Sequence, residues 1–273
     1  QASRPPSLPS ATPPSHSQMA ASVLLALAAL AASATVAAAE EEVRQVAHFT
    51  GIHTSDGIEV HVNVSADGKS SLTLNSTAEA LSKVNSQVDR WGTLVLTKAS
   101  DAGPSHVVAQ VRVPGPLTYA GATDGGVLSA GAVSGSMVAL NRARIEAEAL
   151  ESSRGVLITA SVYSSVVVSG GRVPGLALSV SSASSASLGE LRADSASISA
   201  SSLSSVSGLT VGSATATASD ASSLAFATTG HVGLSCTSSE VRISGSGRVT
   251  TWSDWGCKVE VPSAAEATAP VFP

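Results

Sequence analysis

Between Ala177 and Arg248 small apolar residues alternate with serine and threonine, and the alternation repeats every eighteen residues. Cut at that interval, the chain yields four lines in register: ALSVSSASSASLGELRAD, SASISASSLSSVSGLTVG, SATATASDASSLAFATTG and HVGLSCTSSEVRISGSGR. Val180, Ile198, Ala216 and Leu234 share one column, and Leu178, Ala196, Ala214 and Val232 share the column two residues earlier. Leu188, Val206 and Leu224 form a third, which Arg242 breaks in the last line. A period of two is what a strand with one buried face requires. Helix is the competing reading of so much alanine, but serine and threonine are poor helix formers and no 3.6-residue stripe runs through the segment. The pattern predicts strands.

One short strand per repeat cannot bury its inner face alone, whereas stacked copies can. Parallel stacking at about 4.8 Å sets equivalent residues above one another. A narrow bore accounts for the small inner residues. Ala214, Ala216 and Ala218 mark the rung expected to be least stable, since each missing methylene forfeits about 0.8 kcal/mol of burial. No proline falls between Gly175 and Val261, so every rung there can donate to its neighbours. The pattern reaches back through Ile158, Val166 and Val168, with an inserted loop over 170–175, and through Ile145 and Leu150. Residues 43–113 read as a different β region with longer strands. Residues 58–64 alternate cleanly, strands at 71–74, 94–96 and 107–113 follow, and turns fall at Asp67-Gly68 and Trp91-Gly92. An open solenoid end exposes unpaired backbone, which a capping sheet would cover. The expected fold is all-β: a single-stranded, right-handed parallel β-helix, a solenoid of about 18-residue rungs, with an N-terminal β cap.

Composition narrows the function. Fifty serines and 45 alanines make up about a third of the chain, and only 13% of it is charged, against about 25% in ordinary domains. A net charge of −5 with four lysines (Lys69, Lys83, Lys98, Lys258) excludes an electrostatic nucleic-acid binder, which carries a basic stripe. The hydrophobic share of 43% at low net charge belongs to a folded chain.

The N-terminus bears on compartment. Residues 1–18 are rich in proline and serine and precede Met19, after which an apolar run ends in Ala37-Ala38-Ala39 and three glutamates. That layout is expected to be a secretory signal with an A-x-A site before Glu40. A transmembrane anchor is the rival, since about 20 apolar residues span a bilayer. The expected division is a leader and signal over 1–39, a solenoid over 40–261 and a flexible tail over 262–273. No later apolar run is long enough to span a membrane, so the mature chain is expected to carry none. Asn63-Val64-Ser65 and Asn75-Ser76-Thr77 are N-glycosylation sequons, usable only in a lumenal chain. Cys236 and Cys257 permit one disulfide in an oxidising compartment, or stand as two buried thiols. Together these features point to a secreted or cell-surface protein.

Several short segments occur in a telling order: Phe49-Thr50-Gly51-Ile52, Gly57-Ile58-Glu59-Val60-His61-Val62, Gly92-Thr93-Leu94-Val95-Leu96 and Val111-Arg112-Val113-Pro114. Repeats follow, and Ser244-Gly245-Ser246-Gly247-Arg248-Val249-Thr250 closes them. The whole resembles the head GIN domain of putative autotransporter adhesins over roughly residues 46–261. The resemblance implies a secreted or surface β-solenoid and brings no catalytic residues with it. Rungs of that family carry a Gly-Ala-Gly-Asp-like turn, where this chain has serine-rich segments such as 181–187.

Candidate chemistry is sparse. His48, His53 and His61 invite a metal site, but no carboxylate or cysteine cluster joins them, and exposed histidines are the simpler reading. No G-x-S-x-G elbow marks a nucleophilic serine. Asp194 and Asp220 fall in different columns, and acidic residues along the ladder are too few for a glycosidase pair. Trp252-Ser253-Asp254-Trp255-Gly256-Cys257 faintly resembles the core of thrombospondin type 1 repeats, with the cysteine one place early; these tryptophans are expected to cap the C-terminal end of the bore. On the outer face Ser179, Ser197 and Thr215 are expected to stack, with Ser181, Ser199 and Thr217 beside them, as a hydroxyl grid. The leading expectation is a non-catalytic protein that needs no cofactor and uses this face for adhesion to an extracellular glycan or protein surface. The alternatives are a polysaccharide-acting β-helix enzyme and an ice-binding solenoid.

Overall fold

The computed structural model describes residues 39–99, 103 and 105–261; the expected leader and tail lie outside them. Parallel strands stack into a β-solenoid of about seven turns. In the turn that starts at Ser185, burial alternates residue by residue and slips at Gly189-Glu190, Asp194-Ser195 and Ser202-Leu203, where two exposed residues adjoin. These breaks divide the turn into three sides. Ala186 and Leu188 face inward from the first, Leu191 and Ala193 from the second, and Ala196, Ile198 and Ala200 from the third. Period-two alternation thus survives within each side and is reset at each corner.

Register is not uniform, and this corrects three columns. Leu178 pairs with Ile198 and Val180 with Ala200, a step of twenty residues; the step of eighteen begins only with Ile198 on Ala216 and continues with Ala216 on Leu234. The inner column is therefore Leu178, Ile198, Ala216 and Leu234, and the one before it begins at Leu176, not Leu178. An insertion of two residues keeps every side chain on its own face and moves it one place along. Ala186, not Leu188, lies in the column of Val206 and Leu224. The step there shortens to seventeen, so Val241 occupies the column and Arg242 turns out to solvent. Residues 170–175 are no loop either. They run within the strand Ser165–Ser181, with Gly170 on Glu190 and Val173 on Ala193.

The corner at Ser202-Leu203 recurs at Asn141-Arg142, Val162-Tyr163, Ser182-Ala183 and Asp220-Ala221, and both residues of each pair have positive φ. A left-handed residue costs about 1–2 kcal/mol outside glycine. What holds the corners is their stacking: Arg142 N–H donates to the Val162 carbonyl at 2.8 Å, Tyr163 to Ser182, Ala183 to Ser202, and Leu203 to Asp220 at 2.9 Å. Just inside four of these corners sits a buried serine, at 164, 184, 204 and 222; Ala143 takes that place after Asn141-Arg142, and buried Ser239 follows the single left-handed residue Ser238. Ser204 Oγ donates to the Val180 carbonyl at 3.0 Å and Ser222 Oγ to the Ala200 carbonyl at 3.1 Å, while Ser184 Oγ accepts from the Ser164 N–H at 3.1 Å. Ser184 and Ser239 thus receive the N–H groups of Ser164 and Ser222, while the Val180 and Ala200 carbonyls, which already accept from Ser201 and Ser219, gain a second bond; these five serines do not solvate an outer face.

The N-terminal turns keep the stacking and scramble its order. Gly51–Thr54 lies between Thr93–Lys98 and Leu117–Ala122, and Ile58–Val64 lies between Val107–Val113 and Val127–Leu140, all in parallel. The region expected to cap the ladder therefore also supplies solenoid layers itself. Among the described residues only Glu40–Arg44, Ser71–Ser76 and Val84–Val88 run antiparallel to their partners. A short helix, Ala78–Ser82, went unforeseen; Thr77 caps it by accepting from the Ala80 N–H at 3.3 Å.

At the other end Cys236 and Cys257 form a disulfide with Cα atoms 6.2 Å apart, tying the last two turns together. The tryptophans do not cap the bore. Trp252 and Trp255 are 55% and 77% exposed. The ladder slips between Leu234 and Ser235, a bulge that leaves Trp252 unpaired and lays its indole over Gly233 on the outer face.

Candidate functional site

The most articulated surface lies on the N-terminal turns. The hairpin between Val84–Val88 and Thr93–Lys98 closes over Asp89 to Gly92. Asp89 Oδ1 accepts the N–H groups of Trp91 and Thr93, both at 2.9 Å, and Gly92 takes a positive φ. Aspartate and glycine thereby fix a tight turn that carries Trp91 into solvent, 72% exposed, with the Arg90 guanidinium 4.1 Å from its ring centroid.

Beside the turn, Gly51 pairs with Thr93 on one flank and with Tyr119 on the other, and His53 pairs with Gly121. The two glycines make room for rings. A Cβ on Gly121 would stand 2.5 Å from both His53 Nδ1 and Tyr119 Oη, and one on Gly51 would stand 3.1 Å from Tyr119 Cβ. Tyr119 and His53 consequently lie nearly parallel, 11° apart with centroids 6.5 Å apart. With Trp91, Asp89, Thr50, Thr93, Val95 and Thr118 they line a recess of about 510 Å³. Thr118 Oγ1 lies 3.1 Å from Thr50 Oγ1. Burial pushes the Tyr119 hydroxyl above its ordinary pKa, with the Asp89 charge adding to the effect. Burial holds His53 below 6.5, the Asp124 charge opposing in part, so its ring is neutral at pH 7. Nothing in a period-two reading marks this site, because its rings come from three segments joined only by the crossed order of the layers. The legible signals were Trp91-Gly92 as a turn and His53 as a candidate ligand, with nothing to join them.

The expected residues distribute differently. His61 and His106 both meet Glu59, at 2.9 and 3.0 Å, while His53 belongs to the recess and His48 is exposed. Asp194 pairs with Arg172 across rungs at 3.1 Å, and Asp220 accepts from Ser219 Oγ. Two acidic groups do meet, where the N-terminal turns join the later ones: His61, Asn63, Glu146 and Glu148 line a second recess of about 590 Å³, where Arg144 Nε donates to Glu146 at 2.6 Å. Asn63 and Asn75 are both exposed.

The hydroxyl face keeps its residues and changes its partners. Ser179 stacks on Ser199, Ser199 on Thr217 and Thr217 on Ser235; Ser197 stacks on Thr215. Ser181 stands over Ser161, whose Oγ accepts its hydroxyl at 3.0 Å. Ala177 and Gly233 interrupt the column of Ser197 and Thr215, and Trp252 stands on the face there.

Three solved structures share the fold. A putative adhesin from Parabacteroides merdae ATCC 43184 superposes with a TM-score of 0.65 at 14% identity, covering 82% of this chain and 95% of its own. A putative adhesin from Parabacteroides distasonis ATCC 8503 gives 0.65 at 15%, covering 83% and 98%. A putative adhesin from Bacteroides fragilis NCTC 9343 gives 0.54 at 13%, covering 82% and 96%. At these identities the likeness is one of fold. No curated protein matches the sequence. The family model described as "Putative auto-transporter adhesin, head GIN domain" matches residues 48–230, which is more than half of the chain, and the protein belongs to that family.

Proposed function

We propose that this chain acts outside the cell, secreted or held at a surface, as a non-catalytic adhesive solenoid that binds a glycan or protein on an opposing surface. The observation that carries this reading is the long outer side of the ladder. Thr159, Ser179, Ser199, Thr217, Ser235 and Ser253 follow one another across six rungs, with Ser197, Thr215 and Ser181 alongside. An extended, uncharged array of hydroxyls at strand spacing offers many weak hydrogen bonds to a polyhydroxyl or peptide surface, and its rigidity spares the entropy of ordering each group. Family membership supports the same reading. The exposure of Asn63 and Asn75 supports N-glycans there, and the disulfide suits an oxidising compartment.

The full chain is tested on a glycan array and in a cell-adhesion assay. Saturable binding in either supports the reading, and blanks in both overturn it. A second reading, a polysaccharide-acting enzyme, has the recess of His61, Glu146 and Glu148 in its favour. Release of reducing ends from a polysaccharide, abolished by Glu148→Gln, would establish it in place of adhesion.

A further inference from the structure

We propose that the recess of Trp91, Tyr119 and His53 is a carbohydrate subsite that takes one neutral pyranose residue of a glycan. This rests on the adhesive reading above and places its specificity on the N-terminal turns instead of the ladder. A pyranose has two chemistries at once: a C–H face that packs on aromatic rings, and a rim of hydroxyls that need partners. The recess offers both. Its rings come from separate strands, Trp91 from the hairpin turn and Tyr119 and His53 from neighbouring layers, and the two glycines beneath keep the latter pair flat. Aromatic faces held open to solvent by backbone design expose apolar area that a ligand's C–H groups can cover.

The polar rim is specific too. Asp89 spends Oδ1 on its own turn, and Oδ2 has no partner among the described residues, leaving it able to accept from a hydroxyl pair. Thr50 and Thr118 supply hydroxyls at the opposite wall, and Tyr119 supplies a phenol. A single carboxylate disfavours an acidic sugar by like charge. Aromatic rings with a carboxylate can also cage a quaternary ammonium, but here the Arg90 guanidinium already lies on Trp91 and would repel a cation. Neutral sugar is the chemistry that meets neither repulsion. His53 agrees with this, since its neutral ring adds no charge to the floor.

The experiment titrates the full chain with neutral gluco-, galacto- and manno-configured oligosaccharides, a glucuronate-bearing oligosaccharide, and tetramethylammonium. Tryptophan fluorescence and the array report binding. Wild type is expected to bind at least one neutral oligosaccharide. Trp91→Ala is expected to weaken that binding about tenfold or more with an unchanged thermal transition, because the side chain is mostly in solvent. Asp89→Asn keeps an acceptor for the turn. It is expected to weaken the neutral sugar severalfold while improving the glucuronate-bearing one, a shift that simple loss of structure would not produce. Glycan or cell binding unchanged in Trp91→Ala would overturn the subsite and leave the adhesive reading standing, with the ladder face as the binder. Preference for tetramethylammonium or for the acidic sugar would overturn it as well. Blanks for wild type on glycans and cells alike would overturn both readings.

Discussion

The N-terminal turns and the ladder that follows use one construction, parallel rungs around a bore, with different materials and a different order. In the N-terminal turns the bore is filled by Phe49, Ile52, Ile58, Leu94 and Leu96, and neighbouring strands are 42 to 68 residues apart in the chain, as with Gly51 beside Thr93 and Tyr119. In the ladder one rung buries Ala214, Ala216 and Ala218, and neighbours are about eighteen residues apart. Nearest-neighbour stacking makes each rung nearly interchangeable, so the ladder can be long, thin and uniform. Long-range crossing is slower to form, yet it brings unlike segments side by side. The aromatic recess lies where the order is crossed, and the recess of His61, Glu146 and Glu148 lies where the crossed strand Ile58–Val64 meets layers stacked in sequence order. Crossing builds the aromatic recess, while the ladder has recesses of its own, of about 590 Å³ beside Phe226 and Arg242 and about 520 Å³ beside Arg172 and Asp194, that hold no aromatic cluster.

The sharpest way to break this contrast is to compare cavities. Ile52→Ala, between Leu94 and Ala120, is expected to cost about 2–5 kcal/mol, whereas Ala216→Gly is expected to cost about 1 kcal/mol. Equal losses in denaturant titration would show that the thin rung bears as much of the stability as the thick one.

Next in size is the disulfide. Its loss in the double variant Cys236→Ala, Cys257→Ala opens a span of 21 residues and is expected to cost about 3 kcal/mol. Because stability in a solenoid is local, hydrogen exchange should quicken in His231–Thr237 and Arg248–Trp255 and stay unchanged in Gly51–Thr54. Uniform quickening would make the whole molecule one cooperative unit and erase the contrast.

The two kinds of serine separate more finely. Ser222→Ala removes the bonds of a buried hydroxyl to the Ala200 carbonyl and Ser239 Oγ, while the carbonyl keeps the Ser219 N–H, and is expected to cost about 0.5–1.5 kcal/mol; outward Ser199→Ala is expected to stay within about 0.5 kcal/mol. At the corner, Leu203→Asn replaces a left-handed, 70% exposed leucine with a residue that tolerates that region. A gain of about 0.5–1 kcal/mol is expected, and a loss would mean that Leu203 packs against something in the folded chain.

The smallest effect belongs to the recess. His53 has a folded pKa below its unfolded 6.5, so the unfolded chain binds the extra proton between those values. Stability contributed by keeping the ring neutral is present above pH 6.5 and declines as pH falls from there through the folded pKa. His53→Gln should flatten that slope, and an unchanged slope would assign it to other groups.

Much of this was legible in the residues. The alternation from Ala177 to Arg248 established parallel strands, the inward apolar columns and the outward hydroxyls beside them, and the solenoid. Those follow from local chemistry, since a pleated chain alternates its side chains whatever stacks on it. Register was less secure: the step changes from twenty to eighteen between Ser187 and Arg192, a two-residue difference that leaves the alternation intact, so a uniform period put Val180 beside Ile198 where Leu178 stands. The inner serines were hidden for the same reason, because a corner resets the alternation and a serine beside it can face either way. The aromatic recess was beyond reach. Trp91, His53 and Tyr119 carry no spacing that relates them, and only the stacking of Gly51–Thr54 between two later strands joins them. The sequence by itself determined the strand, its faces and the repeat, because these are set by neighbours two to eighteen residues away. The tertiary structure decided which layers touch, because bringing distant strands together depends on the total fit of the bore and not on any one segment's pattern.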